Sequence, residues 1–344
     1  MERNSPRKEN SRAKKTVPKR APRSRRFPIV SPGRKRNTGI SANHASHPHP
    51  GTKEAHRQTV LAESHRAFSE PFTPNYNSRE MHPVFIRIGP FEIRYYGLMY
   101  LIAFVVGYFL IRAEVRRRGL PLSTEDLLDL FLVTIPLGLL GARLYYVLFR
   151  LDFYAANPLE IFAIWHGGLA IHGGLLGGLL GLWLFSRWKR VRFLSLGDCV
   201  VPAVILGQAL GRIGNFMNGD AYGLPTTLPW GIVFPPSSPA GQAYPGVPLH
   251  PTMFYELIGN LLVFGVLWRL RKRPAKPGFL VAIYFLGYGI VRGLVSTFRG
   301  DSLWLGPVRA AHVASALMVL GSAIWLWRGE LWRGESSDAT QSGA

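Results

Sequence analysis

The sequence predicts an all-α polytopic membrane protein of about seven transmembrane helices, with its N-terminus outside and its C-terminus cytoplasmic. Three observations carry that reading. Hydrophobic residues make up 47% of the 344 positions although the formal net charge is +21, a pairing that suits neither a soluble globular domain nor a wholly disordered chain. Apolar stretches of about 20 residues, the length that crosses about 30 Å of hydrocarbon, recur from residue 81 onward. Lys and Arg crowd into every second connection between them.

Charge and hydropathy divide the chain into three parts. Residues 1–80 hold 18 Lys/Arg against 6 Asp/Glu, are rich in Pro, Ser, Asn and His, and lack apolar periodicity. Such a composition cannot bury enough surface to fold, so this segment reads as a disordered basic extension peculiar to this chain or as an over-called start. It has no short apolar run followed by a small-residue cleavage site, and so does not read as a signal peptide. Residues 81–330 read as a seven-helix membrane domain, and 331–344 as a flexible cytoplasmic tail. The lone Cys199, in an apolar stretch, rules out a disulfide or a cysteine-based metal framework within one chain and reads as a small buried hydrophobe.

The spans are expected near 94–111, 127–149, 168–186, 195–217, 252–270, 278–298 and 307–327. The connections after the first, third and fifth carry Arg112, Arg116, Arg117 and Arg118; Arg187, Lys189, Arg190 and Arg192; and Arg271, Lys272, Arg273 and Lys276. Positive charge marks the cytoplasmic side. The connection of about 218–251 has no Lys or Arg and is placed outside. In the third span Gly173, Gly177 and Gly181 recur every four residues, as do Gly174 and Gly178, a pattern that lets a neighbouring helix approach closely.

Polar residues within the spans gather toward one side. Arg143, Arg212 and Arg292 fall in the outer halves of the second, fourth and sixth spans, with Tyr96, His172, Asn215, Asn218 and Asp220 at the same level. An ionised side chain at mid-bilayer costs about 2.5–3.5 kcal/mol, so each arginine needs a partner or a task. Arg143, Arg212, Arg292 and Arg299 outnumber Asp220, Glu256 and Asp301, and guanidinium binds phosphate through paired hydrogen bonds. The excess suggests an anionic headgroup arriving from the outer leaflet. For Arg143, beside Tyr145 and Tyr146, snorkelling or a structural pairing is the competing reading.

The run LGQALGRIGNFMNGDAYG at 206–223 closely resembles the signature of prolipoprotein diacylglyceryl transferases. RYYGLMY at 94–100, ARLYYVLF at 142–149, NPLEIFAIWHGGLAIHGG at 157–174, HPTMFYE at 250–256 and YGIVRGLVSTFR at 288–299 resemble that family's segments in the family's order. The resemblance covers about 82–328. It implies transfer of the diacylglyceryl group of phosphatidylglycerol to the lipobox cysteine thiol of a lipoprotein precursor, with release of glycerol phosphate, as the first step of bacterial lipoprotein maturation. It implies a bacterial cytoplasmic (inner) membrane protein whose site faces the outer, periplasmic leaflet. Phosphatidylglycerol and the precursor's signal peptide are the expected partners; no metal, cofactor or nucleic acid is.

Under that resemblance His172 is the candidate base, with a hydrogen-bonding role toward the lipid as its alternative. Arg212 and Arg292 would hold the phosphate and stabilise it as it leaves. Asn215 would support the headgroup, Gly223 would serve a turn, and Tyr96 would orient substrate unless it belongs to an interfacial tyrosine belt. Arg143, Asp220 and Arg299 complete the expected lipid-binding set. Two positions depart from the family pattern. Asp220 stands where Glu is usual, and Ser296, one turn after Arg292, stands where the family usually has Glu, which removes a carboxylate partner unless Asp301 or another acid replaces it. His166 stands where relatives often have an acid and is given no role. Two other classes compete: a transporter or channel, disfavoured by nearly pure apolar inner halves, and a catalytically weakened relative that binds lipid or precursor without turnover.

Overall fold

The computed structural model describes residues 83–89 and 91–334. The expected basic segment 1–80 and most of the expected tail lie outside the described residues. Seven long helices follow one another: α1 Tyr95–Arg118, α2 Thr124–Leu148, α3 Ile171–Trp188, α4 Phe193–Asn218, α5 Thr252–Leu270, α6 Phe279–Ser296 and α7 Ala310–Gly329. Six lie within about three residues of their expected spans; α1 runs seven residues past the expected end at 111, so that Arg112 and Arg116–Arg118 lie on its last turns and not in a connection. Six are long and apolar enough to cross a membrane; α3 is not counted with them. This 18-residue helix carries His172 near its start and Arg187 near its end, with five glycines between. Small antiparallel hairpins, Val84–Ile88 with Phe91–Arg94 and Trp304–Leu305 with Val308–Arg309, precede α1 and α7.

Local chemistry sets the ends. Ser123 and Asp126 form a capping box at the start of α2: the Asp126 amide donates to Ser123 Oγ at 3.1 Å and the Ser123 amide to Asp126 Oδ2 at 2.7 Å, an arrangement that contributes about 1 kcal/mol. Leu132, Leu140, Leu175, Leu262, Leu317 and Leu320 point outward, as in a bundle whose solvent is lipid. The most enclosed of these helices is α4, and α7 is the most exposed. Helix α4 packs against α1, α5 and α6, whereas α2 packs chiefly on α3 and α7 on α6.

Helix contact is closest between α2 and α3. A Cβ at Gly177 would strike the Leu137 carbonyl, and one at Gly181 would lie 2.8 Å from Thr134 Cα. The stripe Gly173, Gly177, Gly181 is buried, whereas Gly178 has open space. One of the two glycine repeats thus carries the packing.

The basic connections meet at one end. Fully buried Glu114 on α1 accepts from Arg117 Nη2 at 2.7 Å and from Arg271 Nη1, beyond α5, at 2.6 Å. Buried Asp198 on α4 accepts from the Gly278 and Val281 amides, both at 3.0 Å, and from Arg118 Nη1 at 3.3 Å. Lys189 reaches Asp126 and Asp129 at the start of α2. Since the helices alternate in direction, the start of α1, the end of α2, the start of α3, the end of α4, the start of α5 and the end of α6 share the other end. Leu331 is buried and its carbonyl accepts from the Lys276 amide at 3.0 Å, so the folded part extends past the expected boundary at 330.

Candidate active site

At the end opposite the basic connections, the last two turns of α4 carry Arg212, Asn215 and Asn218. Gly219 stops the helix in the left-handed region at φ +68°, and Ala221 follows at φ +56°, a conformation that costs a non-glycine residue energy. Thr252 Oγ1 anchors that strained residue by donating to its carbonyl at 2.7 Å. The reversal returns Asp220 over the helix end, where its carboxylate accepts from Asn215 Nδ2 at 2.6 Å and Asn218 Nδ2 at 2.7 Å.

Three arginines converge on one carboxylate. Glu256, in the second turn of α5, has no exposed surface. Arg212 Nη2 donates to its Oε1; Arg292 Nη1, from α6, lies 3.2 Å from Oε2; and Arg299 Nη1 stands 3.7 Å from Oε2. Arg212 also donates to Asn215 Oδ1 at 3.0 Å. Arg299 is gripped from its far side by Asp301, at 2.8 and 2.6 Å. Burial opposes its charge, but Asp301 and Glu256 outweigh burial and hold its pKa above the ordinary value. The side chains of Arg212 and Arg292 keep 19% and 24% of their surface exposed, so both remain within reach of an anion.

Gly223 joins the signature loop to Arg299 through a backbone bridge. Its amide donates to the His250 carbonyl at 3.1 Å, and a Cβ there would run into that carbonyl. The glycine is needed for close approach of two chain segments and not, as expected, for a turn. Tyr96, in the first turn of α1, lies against α4 at Gly214, where a Cβ would stand 2.8 Å from Tyr96 Cδ2. Its ring meets Tyr100 edge-on at 5.2 Å.

Arg143 and His172 belong to a second group, on α2 and α3. All five N–H donors of Arg143 go to backbone carbonyls: Nε to Ile161 at 2.8 Å, Nη1 to Gly167 and Gly168 at 2.6 and 3.0 Å, and Nη2 to Glu160 and, at 3.3 Å, Ala163. The side chain clamps the 160–168 segment and has no donor left for a phosphate. His172 is exposed beside Tyr145, their ring centroids 5.8 Å apart. Among the described residues no hydrogen bond, ion pair or ring contact joins this group to the Glu256 cluster. Without Arg143 the cluster sets Arg212, Arg292 and Arg299 against Asp220, Glu256 and Asp301, a formal balance where the sequence suggested an excess of positive charge.

The sequence profile of the prolipoprotein diacylglyceryl transferase family matches residues 83–328. The chain belongs to that family. It is 44% identical over 282 residues, covering 72% of this chain and 97% of the relative, to an enzyme of Fusobacterium nucleatum named phosphatidylglycerol–prolipoprotein diacylglyceryl transferase. Proteins of the same name from Cupriavidus pinatubonensis and Synechocystis are 36% and 40% identical, covering 77% and 71% of this chain and 98% and 89% of their own lengths. Each relative carries a transferase name, and the protein is a multi-pass membrane transferase of this family.

Ser296, expected to leave Arg292 without a carboxylate on its own helix, packs against the backbone. Ser296 is fully buried, its Oγ donates to the Arg292 carbonyl at 2.6 Å, and its own carbonyl accepts from Arg309. Arg292 takes its carboxylate from across the helix interface, where Glu256 stands. The sequence reading included Glu256 in the charge count but not in the site. Its signal was a lone carboxylate in a span with no basic residue three or four positions away. His250 was also missed. Its Nδ1 lies 3.2 Å from Tyr255 Oη, which accepts from Trp230 Nε1 at 2.8 Å, and burial lowers its pKa.

Proposed function

We propose that this protein transfers the diacylglyceryl group of phosphatidylglycerol to the lipobox cysteine thiol of a lipoprotein precursor, at the outer leaflet of the bacterial inner membrane. The convergence of Arg212, Arg292 and Arg299 on buried Glu256 carries the reading, because guanidinium groups from three places in the chain form one anion-binding surface. In the reaction the thiolate attacks the carbon of the diacylglycerol unit that bears the phosphate ester. A C–S bond forms as the C–O bond breaks, the electron pair leaves with glycerol phosphate, and the thiol proton passes to a base, for which His172 is the candidate. Arg212 and Arg292 stabilise the charge that grows on the departing phosphate. Asn215 and Asp220 hold Arg212 and the signature loop, Gly223 and Arg299 close the loop against α6, and Tyr96 lines the lipid's approach from α1. Net positive connections at the opposite end favour a cytoplasmic location for that end, with the N-terminus of the folded part and the cluster outside. We assign residues 1–80 to an extension not needed for turnover.

Complementation of a strain depleted of its own transferase tests the reading. Versions beginning at Met1 and at Met81 are expected to restore growth, and His172→Ala and Arg212→Ala to fail. Growth with both substitutions equal to the parent would overturn the site assignment; failure of the unsubstituted protein would overturn the activity.

A further inference from the structure

Asn260 occupies the turn of α5 just inside Glu256, four residues on and on the same helix face. It has no exposed surface, and neither its Oδ1 nor its Nδ2 has a hydrogen-bond partner. Across the interface, Gln208 lies one turn inside Arg212 on α4. Its nitrogen is committed to Tyr284 Oη at 2.9 Å, whereas its oxygen and Arg212 Nε are also buried and unpartnered. A sealed, unpaired amide in a membrane protein's interior lowers the stability of the state in which it is unpaired. Its presence one turn from the anion-binding cluster points to a second state in which it is paired.

The charge balance identifies that state. Glu256 now takes donors from Arg212 and Arg292, and these two arginines are the ones reachable from outside. A lipid phosphate that binds them competes for the same N–H groups. Glu256 cannot then remain buried without replacements, since a buried carboxylate stripped of partners is strongly disfavoured. Arg299 stays bound to Asp301 and supplies only a longer contact. Asn260 Nδ2 is uncommitted and at the spacing where two side chains on one helix hydrogen-bond.

We infer that Asn260 is a positioning residue, taking up the Glu256 carboxylate when a lipid phosphate draws Arg212 and Arg292 away. The inference rests on the lipid-phosphate reading given above. It makes Glu256 a lever: it keeps the arginines ordered without lipid and releases them at low cost because Asn260 receives it.

The test uses the full chain purified in detergent, with phosphatidylglycerol added in micelles and no peptide acceptor, so that lipid affinity is read independently of turnover. Asn260→Leu is expected to leave the lipid-free unfolding temperature unchanged or raised and to weaken phosphatidylglycerol binding about tenfold, the loss of one hydrogen bond to a charge. With an acceptor peptide, KM for lipid rises while kcat stays within about twofold. In a Glu256→Gln background Asn260→Leu is expected to have no further effect on affinity. Unchanged affinity in Asn260→Leu, or an equal loss in the Glu256→Gln background, would overturn the inference. So would a fall in lipid-free stability that accompanies the loss of binding. Lipid binding without transfer by the parent would instead overturn the proposed activity.

Discussion

Arg292 finds its carboxylate on a neighbouring helix: its Nη1 lies 3.2 Å from Oε2 of Glu256 on α5, while Ser296, one turn along its own helix, bonds back to the Arg292 carbonyl. The ion pair of Arg292 is long-range, and the three helices α4, α5 and α6 are joined through a single carboxylate.

Ser296→Glu should therefore bring no gain. Arg292 already has its partner, and Ser296 is fully buried, so a longer charged side chain overfills the interface and costs about 1–3 kcal/mol. Transfer rates of the parent and of Ser296→Glu, measured side by side, check this. A tenfold gain would favour the catalytically weakened reading of the native chain.

Glu256→Gln leaves three guanidinium groups around a neutral amide. Removing one partner of a buried ion group costs about 3–5 kcal/mol, and the expected result is a lower unfolding temperature with transfer reduced at least about a hundredfold. Thermal unfolding and initial rates on the same preparation separate the two effects.

Arg143→Lys should act on stability before chemistry. Lysine cannot reproduce five directed N–H bonds to the 160–168 carbonyls, so the unfolding temperature is expected to fall, whereas phosphatidylglycerol affinity changes less than in Arg212→Lys. An affinity loss equal to that of Arg212→Lys would return Arg143 to the lipid site.

Gly223→Ala places a methyl group against the His250 carbonyl. The bridge between Gly223 and Arg299 opens, and activity should drop far more than it does for alanine at Gly178, which has open space.

Acid should loosen the same loop. Burial holds the His250 pKa below its ordinary value, so the contribution of the neutral ring is complete above about pH 6.5 and is lost as pH falls through the lowered folded-state value. Stability measured between pH 7.5 and pH 5 should decline more steeply for the parent than for His250→Gln.

The membrane architecture was legible because its causes are local. Span length, the Arg and Lys connections and the Gly173, Gly177, Gly181 stripe are written in consecutive residues, and the helices fall where those patterns place them. The signature loop was legible for the same reason. Partnerships across helices were not. The sequence shows Arg143 and Arg212 as equivalent intramembrane arginines, yet one is consumed by carbonyls 17 to 25 residues away and the other by Glu256, 44 residues away. Glu256 stands out in the sequence as a lone carboxylate in a span, but its three arginine partners come from other segments, and the close approach that requires Gly223 comes from His250, which only the fold brings beside it.

The most direct test of the lipid-phosphate grip is the affinity of the purified protein for phosphatidylglycerol after charge-conserving changes at the two reachable arginines. Arg212→Lys and Arg292→Lys keep the charge but lose the planar fork, and each is expected to weaken binding about tenfold with the fold intact. Undiminished affinity in both variants would contradict a phosphate held between α4 and α6.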